Sequence, residues 1–375
     1  MRYLQFAIPL LLVILVDILF HLGVWERFAT PESHAGMSIT KKLALNDPAF
    51  QHIDFVTLGS SRPVYGIDHA QLSKIAAERG YVYANLSVPG MHWMSLGVIT
   101  DWLAAHHPEV RGGVIALAVQ DFLAPGNGTY EIGVAYPFRT MREISWMSEH
   151  VPFDWHDPAT YALYSGLFEY HEDVQDLLAR PRQRRNLLKY FRALTPTQVL
   201  SGNADETSDL CTAHVSSLSD CASLTASGIA VDAKLDQQCK LVQNVLSGRY
   251  DLGPFLHGQQ LPDHLQKTRD MVRAQLLALN WPTPPIIVLM PMHSIWLKDA
   301  MPTAAHAWAL SILAPLASEG KIRLLDYTDL FNGDDRVSDC SAFFDFYHNN
   351  VSGRERLMQH LMPAVESDLY GFQGK

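Results

Sequence analysis

Apolar and polar positions along the chain form two kinds of segment, which predict strands and helices in alternation. Short, continuously apolar runs are typical of strands buried on both faces of a parallel sheet. Between them, apolar residues recur three or four positions apart. Leu72, Ile75 and Ala76 share one face of a predicted helix that begins after Asp68 and ends at Gly80. We therefore predict an α/β fold with a parallel sheet. Its five strands are predicted at residues 53–58, 81–87, 113–119, 285–291 and 321–327.

The alternation is interrupted between the third and fourth predicted strands. Residues 125–262 hold many aromatic residues and a stretch rich in Ser, Asp and Cys at 201–240. We therefore predict a sheet domain formed by residues 51–124 and 263–375, with 125–262 as a large insertion or lid. The insertion contains a basic run that is either a solvated helix face or a contact for anionic lipid or an acidic polymer. The run consists of Arg180, Arg182, Arg184, Arg185, Lys189 and Arg192.

The start of the chain differs from the rest because residues 3–25 are almost entirely apolar. As a helix they would extend roughly 35 Å, enough to cross a hydrocarbon core about 30 Å thick. We predict a transmembrane signal-anchor at 1–28 and a polar tether at 29–50, with Arg2 favouring an extracytoplasmic body. A cleaved signal peptide is the alternative, although no small-residue cleavage site follows the apolar run. Asp17 is expected to be hydrated near the outer end or to contact another membrane protein.

Composition narrows the classes of function that fit. Apolar residues make up 48% and charged residues 18% of the 375-residue chain, which excludes an intrinsically disordered protein. A net charge of −10 argues against a nucleic-acid partner, since general nucleic-acid binders need a basic face. The mean hydropathy of −0.01 is too low for a multi-pass membrane protein and agrees with one membrane segment.

The cysteine spacing bears on metal sites and on disulfides. The four cysteines contain no C-x-x-C pair, so we expect no metal site, and no cofactor is predicted. If the body is exported, the cluster formed by Cys211, Cys221 and Cys239 would contribute to one or two disulfides. The pairing stays open.

Candidate chemistry collects where the predicted strands end. The carboxyl ends of parallel strands form one edge of the sheet, and ligands bind there at the switch in strand order. Loops that follow different strands are therefore expected to converge on one cleft. In strand order, the candidate residues of these loops are Ser60, Ser61 and Arg62, then Gly90, then Gln120, then His293, and finally Asp345 with His348.

A serine on a glycine-led turn acts as a nucleophile once a base removes its proton. We predict Ser61 as that nucleophile, with Ser60 as its rival. His348 is the predicted base, and Asp345, three residues earlier, would orient the imidazole and stabilise its charged form. The alternative is a turn serine that caps a helix, together with an aspartate that caps the last helix.

The remaining candidates would stabilise charge or contact substrate. Gly90 and Gln120 are predicted to offer a backbone N–H and a side-chain amide to a developing oxyanion. Their alternatives are a simple turn glycine and a loop amide bonded to the backbone. Arg62 would bind an acidic group of the substrate or pair with Asp68, and His293 would contact substrate in the cleft.

Taken in order, these motifs resemble those of the SGNH, or GDSL-like, hydrolase superfamily over residues 51–125 and 280–365. The resemblance implies a three-layer, flavodoxin-like fold. It assigns the triad and oxyanion roles to the serine, histidine, aspartate, glycine and glutamine predicted above. Two positions depart from the usual pattern, because Ser60 stands for the Asp of G-D-S and Gln120 for an Asn.

The block Gly-Ser-Ser-Arg with a trailing Gly-Ile-Asp is similar to the membrane-anchored branch of that superfamily. The branch includes exopolysaccharide O-acetyltransferases of the alginate type and the protein that assists D-alanine transfer to teichoic acids. The resemblance implies a single-pass protein of the inner membrane whose periplasmic domain adds or removes acyl groups, with acetyl expected, on a cell-surface polysaccharide. A transferase would work beside a multi-pass membrane acyltransferase. A non-catalytic polysaccharide-binding or assembly protein of the envelope is the alternative.

Overall fold

The chain of the computed structural model divides into two compact units. We call Ile53–Ser87, Glu109–Pro125 and Ser201–Lys375 the sheet unit, and Met1–His52, Val88–Pro108 and Gly126–Leu200 the helical unit. Neither unit is a continuous stretch of sequence. The structure describes residues 2–123, 128–151, 154–211, 215, 217, 219–221, 233–244, 263–296, 303–333 and 339–372.

One parallel sheet of five strands forms the centre of the sheet unit in the described part of the chain. The strand order is β2-β1-β3-β4-β5, so the direction of winding reverses between β1 and β3. A crevice at the carboxyl ends of these two strands is where a ligand is expected. The strands are β1 (Phe55–Gly59), β2 (Tyr83–Asn85), β3 (Gly112–Leu117), β4 (Ile286–Leu289) and β5 (Arg323–Asp326).

Helices account for most of the remaining described residues. Polar side chains cap the start of the helix at His69–Glu78 and of the last helix. The Asp68 carboxylate accepts from the N–H of Gln71, and the Asn350 side-chain oxygen accepts from the N–H of Gly353. In chain order the described α-helices are α1 (Arg2–His21), α2 (His34–Leu45), α3 (Ser61–Gly66), α4 (His69–Glu78), α5 (Trp93–His106), α6 (Thr129–Ala135), α7 (Met141–His150), α8 (Pro158–Tyr164), α9 (Gly166–Glu169), α10 (His171–Ala179), α11 (Pro181–Ala193), α12 (Pro196–Ser201), α13 (Ala233–Asn244), α14 (Asp263–Ala278), α15 (Thr303–Ser318) and α16 (Val351–Gly371).

The core of the sheet unit holds α16 against the strands. Residues four positions apart place one apolar stripe of this helix in the same buried cluster as Val114 and Ile286 of the sheet. Each fully buried aliphatic side chain contributes roughly 1.5–3 kcal/mol, so this stripe fixes the helix and the loop before it. The stripe consists of Leu357, Leu361, Val365 and Leu369.

The prediction of an α/β fold with a five-stranded parallel sheet is confirmed, and the sheet is consistent with a three-layer arrangement. The division of the chain differs from the predicted one. The predicted tether at 29–50 contains α2, and the described part of 201–262 belongs to the sheet unit. Residues 222–232 and 245–262 of the predicted insertion lie outside the described residues.

Two disulfides give the physical reason for this difference. Cys211 pairs with Cys340, and Cys221 pairs with Cys239. The first bond joins the segment after α12 to the loop before α16, across a separation of 129 residues. Both members of the second bond are buried in the core of the sheet unit. Part of the predicted insertion is therefore covalently and sterically tied to the sheet unit.

The apolar N-terminal run forms α1. Within the part of the chain that the structure describes, no helix combines the length and apolarity needed to cross a membrane. The side chains of residues 2–7, and all of Met1, which belong to the predicted anchor at 1–28, lie outside the described residues.

Asp17 in α1 has hydrogen-bond partners within the chain, and its predicted hydration or contact with another membrane protein stays a prediction. Its Oδ1 accepts hydrogen bonds from the hydroxyl of Ser165 and the N–H of Leu167, each at 2.8 Å. The N–H group lies in the first turn of α9, where backbone donors lack intrahelical acceptors. Asp17 therefore joins α1 to the start of α9 in the helical unit. The neighbouring Phe20 is buried in a cluster with Tyr170.

Candidate active site

The turn after β1 places Ser61 at the start of α3. Gly59 ends the strand with φ 147°, and a Cβ at this position would lie 2.3 Å from the carbonyl oxygen of Ala116. Glycine is therefore required for the close approach of β1 and β3 at the strand end. Ser60 is the N-cap residue of α3, but its side chain makes no capping hydrogen bond. Ser61 follows as the first residue of the helix.

Ser61, His348 and Asp345 form a chain of hydrogen bonds in the sheet unit. His348 Nε2 lies 2.7 Å from Ser61 Oγ, and His348 Nδ1 lies 2.8 Å from Asp345 Oδ2. Because a carboxylate only accepts, Nδ1 donates to Asp345, and Nε2 is left to accept the proton of Ser61. This is the geometry that a nucleophile, its base and an orienting acid require. Ser61, and not its rival Ser60, occupies the nucleophile's place in it.

The Asp345 carboxyl is held in its ionised form. Burial alone would raise its pKa, but the hydrogen bond and charge of His348 and the N–H groups of Tyr347 and His348 outweigh that effect. The pKa of Asp345 is therefore lowered from its ordinary value. The two N–H groups donate to Oδ1 at 2.8 Å each. The carboxylate can thus stabilise a positive charge that forms on the imidazole during proton transfer.

Aromatic rings fix the plane of the His348 imidazole. The ring of Phe344 stacks on it with a centroid distance of 5.5 Å and an interplanar angle of 14°. The Tyr65 ring lies 5.2 Å from it and meets Phe344 edge-on. Burial, followed by the charges of Asp345 and Glu206, raises the pKa of Tyr65. Tyr65 was not among the predicted site residues, although it lies four positions after Ser61 and so shares its helix face.

Arg62 is a buried residue that positions Gln120. Its guanidinium donates to the carbonyl oxygen of Pro291 at 3.2 Å and to Oε1 of Gln120 at 3.0 Å. Since a guanidinium has no acceptor, the amide oxygen of Gln120 must face it and the NH₂ group must point away. Gln120 follows β3 and Ser61 follows β1, so both flank the switch in strand order. This orientation leaves the amide NH₂ free to act as a donor, as an oxyanion role requires.

The contacts of Arg62 differ from one of its two predicted roles. Arg62 is 3% exposed, and its binding of an acidic group of the substrate stays a prediction. Asp68, its other expected partner, instead caps α4 and accepts from Nδ2 of Asn203 at 2.9 Å. Sequence could place a cation beside Ser61, but the side-chain direction depends on tertiary packing.

His293 is also placed differently from its prediction. It is 1% exposed and packs against the rings of Phe343 and Phe346 at centroid distances of 5.3 and 5.2 Å. Its Nδ1 accepts the N–H of Ile295. Burial lowers the pKa of His293 to about 4, against the opposing charge of Asp345, so the ring is neutral. His293 is therefore a core residue behind the Asp345 loop and presents no exposed surface to a substrate.

Gly90 belongs to the helical unit, whereas the triad residues belong to the sheet unit. It has φ 83°, and a Cβ at this position would lie 2.7 Å from Cδ2 of His34. Both facts require glycine here. The role of Gly90 as an oxyanion donor stays a prediction.

Residues from the predicted insertion hold the loop that carries Asp345 and His348. Gln238 Oε1 accepts the N–H of Phe346 at 2.9 Å, and the adjacent Cys239 is disulfide-bonded. The Cys211–Cys340 bond ties the start of the same loop. Sequence reasoning missed Gln238, since no local pattern marks a contact made across 108 residues.

Among the described residues, no group of three or more candidate ligands could hold a metal ion. The geometry brings together a serine hydroxyl, an imidazole bonded to it, an ionised aspartate and an oriented amide. Such a set can open an ester by forming and breaking an acyl-serine.

Comparison with known proteins adds no support for this chemistry. No family model matches the chain, and no curated protein matches it. One solved structure that resembles it is described as "a putative platelet activating factor" from Streptococcus pneumonia. The likeness covers 87% of this chain and 91% of that one, at 9% sequence identity and a TM-score of 0.34. A likeness at this level carries no argument about fold or function.

Proposed function

We propose that this protein is an SGNH-type serine acyltransferase or esterase that moves an acyl group, with acetyl expected, onto or off a cell-surface polysaccharide. The observation that carries the proposal is the 2.7 Å contact between His348 Nε2 and Ser61 Oγ, with Asp345 bonded to the other ring nitrogen. A non-catalytic protein on the same fold has no need to bring these three groups together.

The sheet order supports the finer assignment of the fold. The order β2-β1-β3-β4-β5 is the doubly wound, flavodoxin-like one, and its ligands bind where the winding reverses. Ser61 follows β1 and Gln120 follows β3, the two strands on either side of that reversal. We therefore propose a three-layer SGNH-type fold with its active site at this edge.

The proposed reaction has two halves that use the same groups. Ser61 Oγ attacks the acyl carbonyl carbon while its proton passes to His348 Nε2, and the resulting oxyanion accepts from the Gln120 amide. His348 then gives the proton to the leaving oxygen as the carbon–oxygen bond breaks, which leaves an acyl-Ser61. In the second half a sugar hydroxyl or water gives its proton to His348 and attacks the acyl carbon, and the returned proton restores the Ser61 hydroxyl.

We further propose an extracytoplasmic body anchored at the inner membrane. Disulfide pairing of all four cysteines is typical of oxidising compartments. Apart from the buried Phe20, the large aliphatic side chains described in α1 are exposed, from 38% at Val16 to 62% at Leu11, as suits a segment in lipid. The polysaccharide substrate and a multi-pass acyltransferase partner are proposed only from the resemblance to the SGNH superfamily.

The function is tested with the full chain in detergent or lipid discs. We expect it to release acetate from an aryl acetate and to react covalently with a fluorophosphonate, which acylation chemistry at a serine predicts. Adding a neutral oligosaccharide separates the two versions: O-acetylated sugar identifies a transferase, whereas unchanged acetate release identifies an esterase. If there is neither acetate release nor labelling, the proposed enzyme is wrong.

The Arg62–Gln120 contact gives a prediction about the oxyanion. Gln120→Ala is expected to lower kcat for the aryl acetate about 10²-fold, the usual effect of losing one oxyanion donor. Arg62→Met should lower kcat about tenfold, because the Gln120 amide loses the partner that orients it, with little change in KM in both variants. The double variant should be no slower than Gln120→Ala alone, since both act through the same amide.

Measured kcat values for the four proteins check this coupling. Arg79→Met serves as a control because Arg79 lies at the end of α4, where it donates to the carbonyl of Ile75. Losses that multiply in the double variant would show that Arg62 does not act through Gln120.

A further inference from the structure

A row of exposed cations lies along one side of α11. Arg182, Arg185, Lys189 and Arg192 are exposed, and their spacing of three, four and three residues places them on one face of the helix. The helix contains no acidic residue. This exposed face is therefore locally basic, although the net charge of the chain is −10.

The opposite side of α11 is fixed to the helical unit. Arg184 is buried there and pairs with the carboxylates of Asp173 and Asp176 of α10. It also donates to the carbonyl oxygen of Phe28 at 3.0 Å, and Arg192 donates to the carbonyl oxygen of Arg27 at 2.6 Å. These contacts neutralise Arg184 but leave Arg192 charged, because a carbonyl is a neutral acceptor. They place α11 beside the residues that closely follow the end of α1.

The end of α1 has the composition of a membrane interface. Residues 10–16 are consecutive apolar residues and all are exposed, so they cover every side of the helix. Two exposed aromatic residues, Phe28 and Tyr164, lie beyond the end of the helix. The carbonyl oxygen of Tyr164 is hydrogen-bonded to the His21 ring at that end. Aromatic residues at such a boundary are typical of the headgroup layer. Through Arg192, the basic face of α11 therefore reaches the residues that follow the point where an apolar helix would leave lipid.

We propose that the exposed face of α11 binds the headgroups of anionic phospholipids at the membrane surface where α1 is anchored. This inference rests on the membrane location proposed above. Each Lys or Arg close to an anionic bilayer favours binding by several-fold, and the attraction extends only about a Debye length of 10 Å. A helix held at the end of the anchor satisfies that distance limit. Binding would hold the helical unit at the surface in a fixed orientation.

The test places the full chain in discs of phosphatidylcholine alone or with about 30 mol% phosphatidylglycerol. Chymotryptic cleavage after Tyr190, which is 61% exposed on α11, reports whether the helix is covered. We expect cleavage to be about tenfold slower in the anionic discs, and about 0.5 M NaCl to remove the difference. We expect equal cleavage in both discs for the triple variant that combines Arg182→Gln, Arg185→Gln and Lys189→Gln.

A matched control removes three exposed lysines of the sheet unit, as Lys74→Gln, Lys267→Gln and Lys321→Gln, and should keep the slower cleavage in anionic discs. Equal cleavage of the wild-type chain in the two discs would overturn the proposal. So would protection by soluble dextran sulfate but not by phosphatidylglycerol, which would assign the face to an acidic polymer. Failure of the chain to enter neutral discs would instead contradict the anchor, and flotation with phosphatidylglycerol vesicles would then decide whether α11 binds them.

Discussion

Replacing Ser61 with alanine is expected to lower kcat for an aryl acetate by at least about 10³-fold and to abolish covalent labelling by a fluorophosphonate. The reason is that Ser61 Oγ is the atom within 2.7 Å of His348 Nε2, and no acyl-serine can form without it. Only one partly exposed hydrogen bond is lost, so the free energy of unfolding should fall by no more than about 1 kcal/mol. Thermal unfolding of the variant checks that the fold is kept.

Ser60→Ala is the matched control for this variant. Ser60 is the adjacent residue of the same turn, and its side chain makes no capping hydrogen bond to α3. We expect its labelling to persist and its kcat to stay within about threefold of the wild type, as for substitutions that break no buried contact. Labelling that survives in Ser61→Ala but disappears in Ser60→Ala would move the nucleophile to the rival residue. Labelling that survives in both would place the reactive serine elsewhere.

The place of Ser61 beside His348 could be predicted because it depends on topology more than on packing detail. The two residues are 287 positions apart, yet Ser61 directly follows the sequence signal of a strand end and His348 shortly precedes that of the last helix. Parallel strands bring their carboxyl ends to one edge, so a correct list of strands is enough to bring the loops together. The five apolar runs supplied that list.

Side-chain direction could not be predicted in the same way. Arg62 in α3 and His293 in the loop after β4 both lie at the expected edge of the sheet, but packing buries them at 3% and 1% exposure. Arg62 points to Gln120 and Pro291, and His293 points to Phe343 and Phe346. The direction of such a side chain depends on neighbours that are far away in sequence, and these neighbours cannot be inferred from residue type alone.

The cysteine pairs and the two units show the same limit at larger scale. Cys211 lies closest in sequence to Cys221, yet it pairs with Cys340 across 129 residues. Part of the predicted insertion therefore joins the sheet unit and supports the Asp345 loop through Gln238. A break in the strand–helix pattern marks where an inserted segment begins, but it does not say against which surface each part of the segment will pack.

Asp345→Asn is expected to lower kcat on the order of 10⁴-fold while leaving KM nearly unchanged. The substitution keeps the shape of the side chain, and the amide oxygen can still accept the N–H groups of Tyr347 and His348, which lie 2.8 Å from Oδ1. The amide NH₂ then faces His348 Nδ1, so the favoured tautomer carries its proton on Nε2. That tautomer cannot accept the proton of Ser61, and the negative charge that stabilises the imidazolium is also lost.

Asp339→Asn separates this effect from a general disturbance of the loop. Like Asp345, Asp339 accepts hydrogen bonds from a residue two positions later, here the N–H and the hydroxyl of Ser341. It also pairs with Arg356, but it is not bonded to His348. Its variant should therefore retain kcat within about threefold, because an exposed ion pair contributes little. The two variants are compared by kcat and by thermal unfolding. Equal losses in both would assign Asp345 a structural role in the loop, whereas a loss confined to Asp345→Asn, with the fold intact, places its charge in the proton transfer.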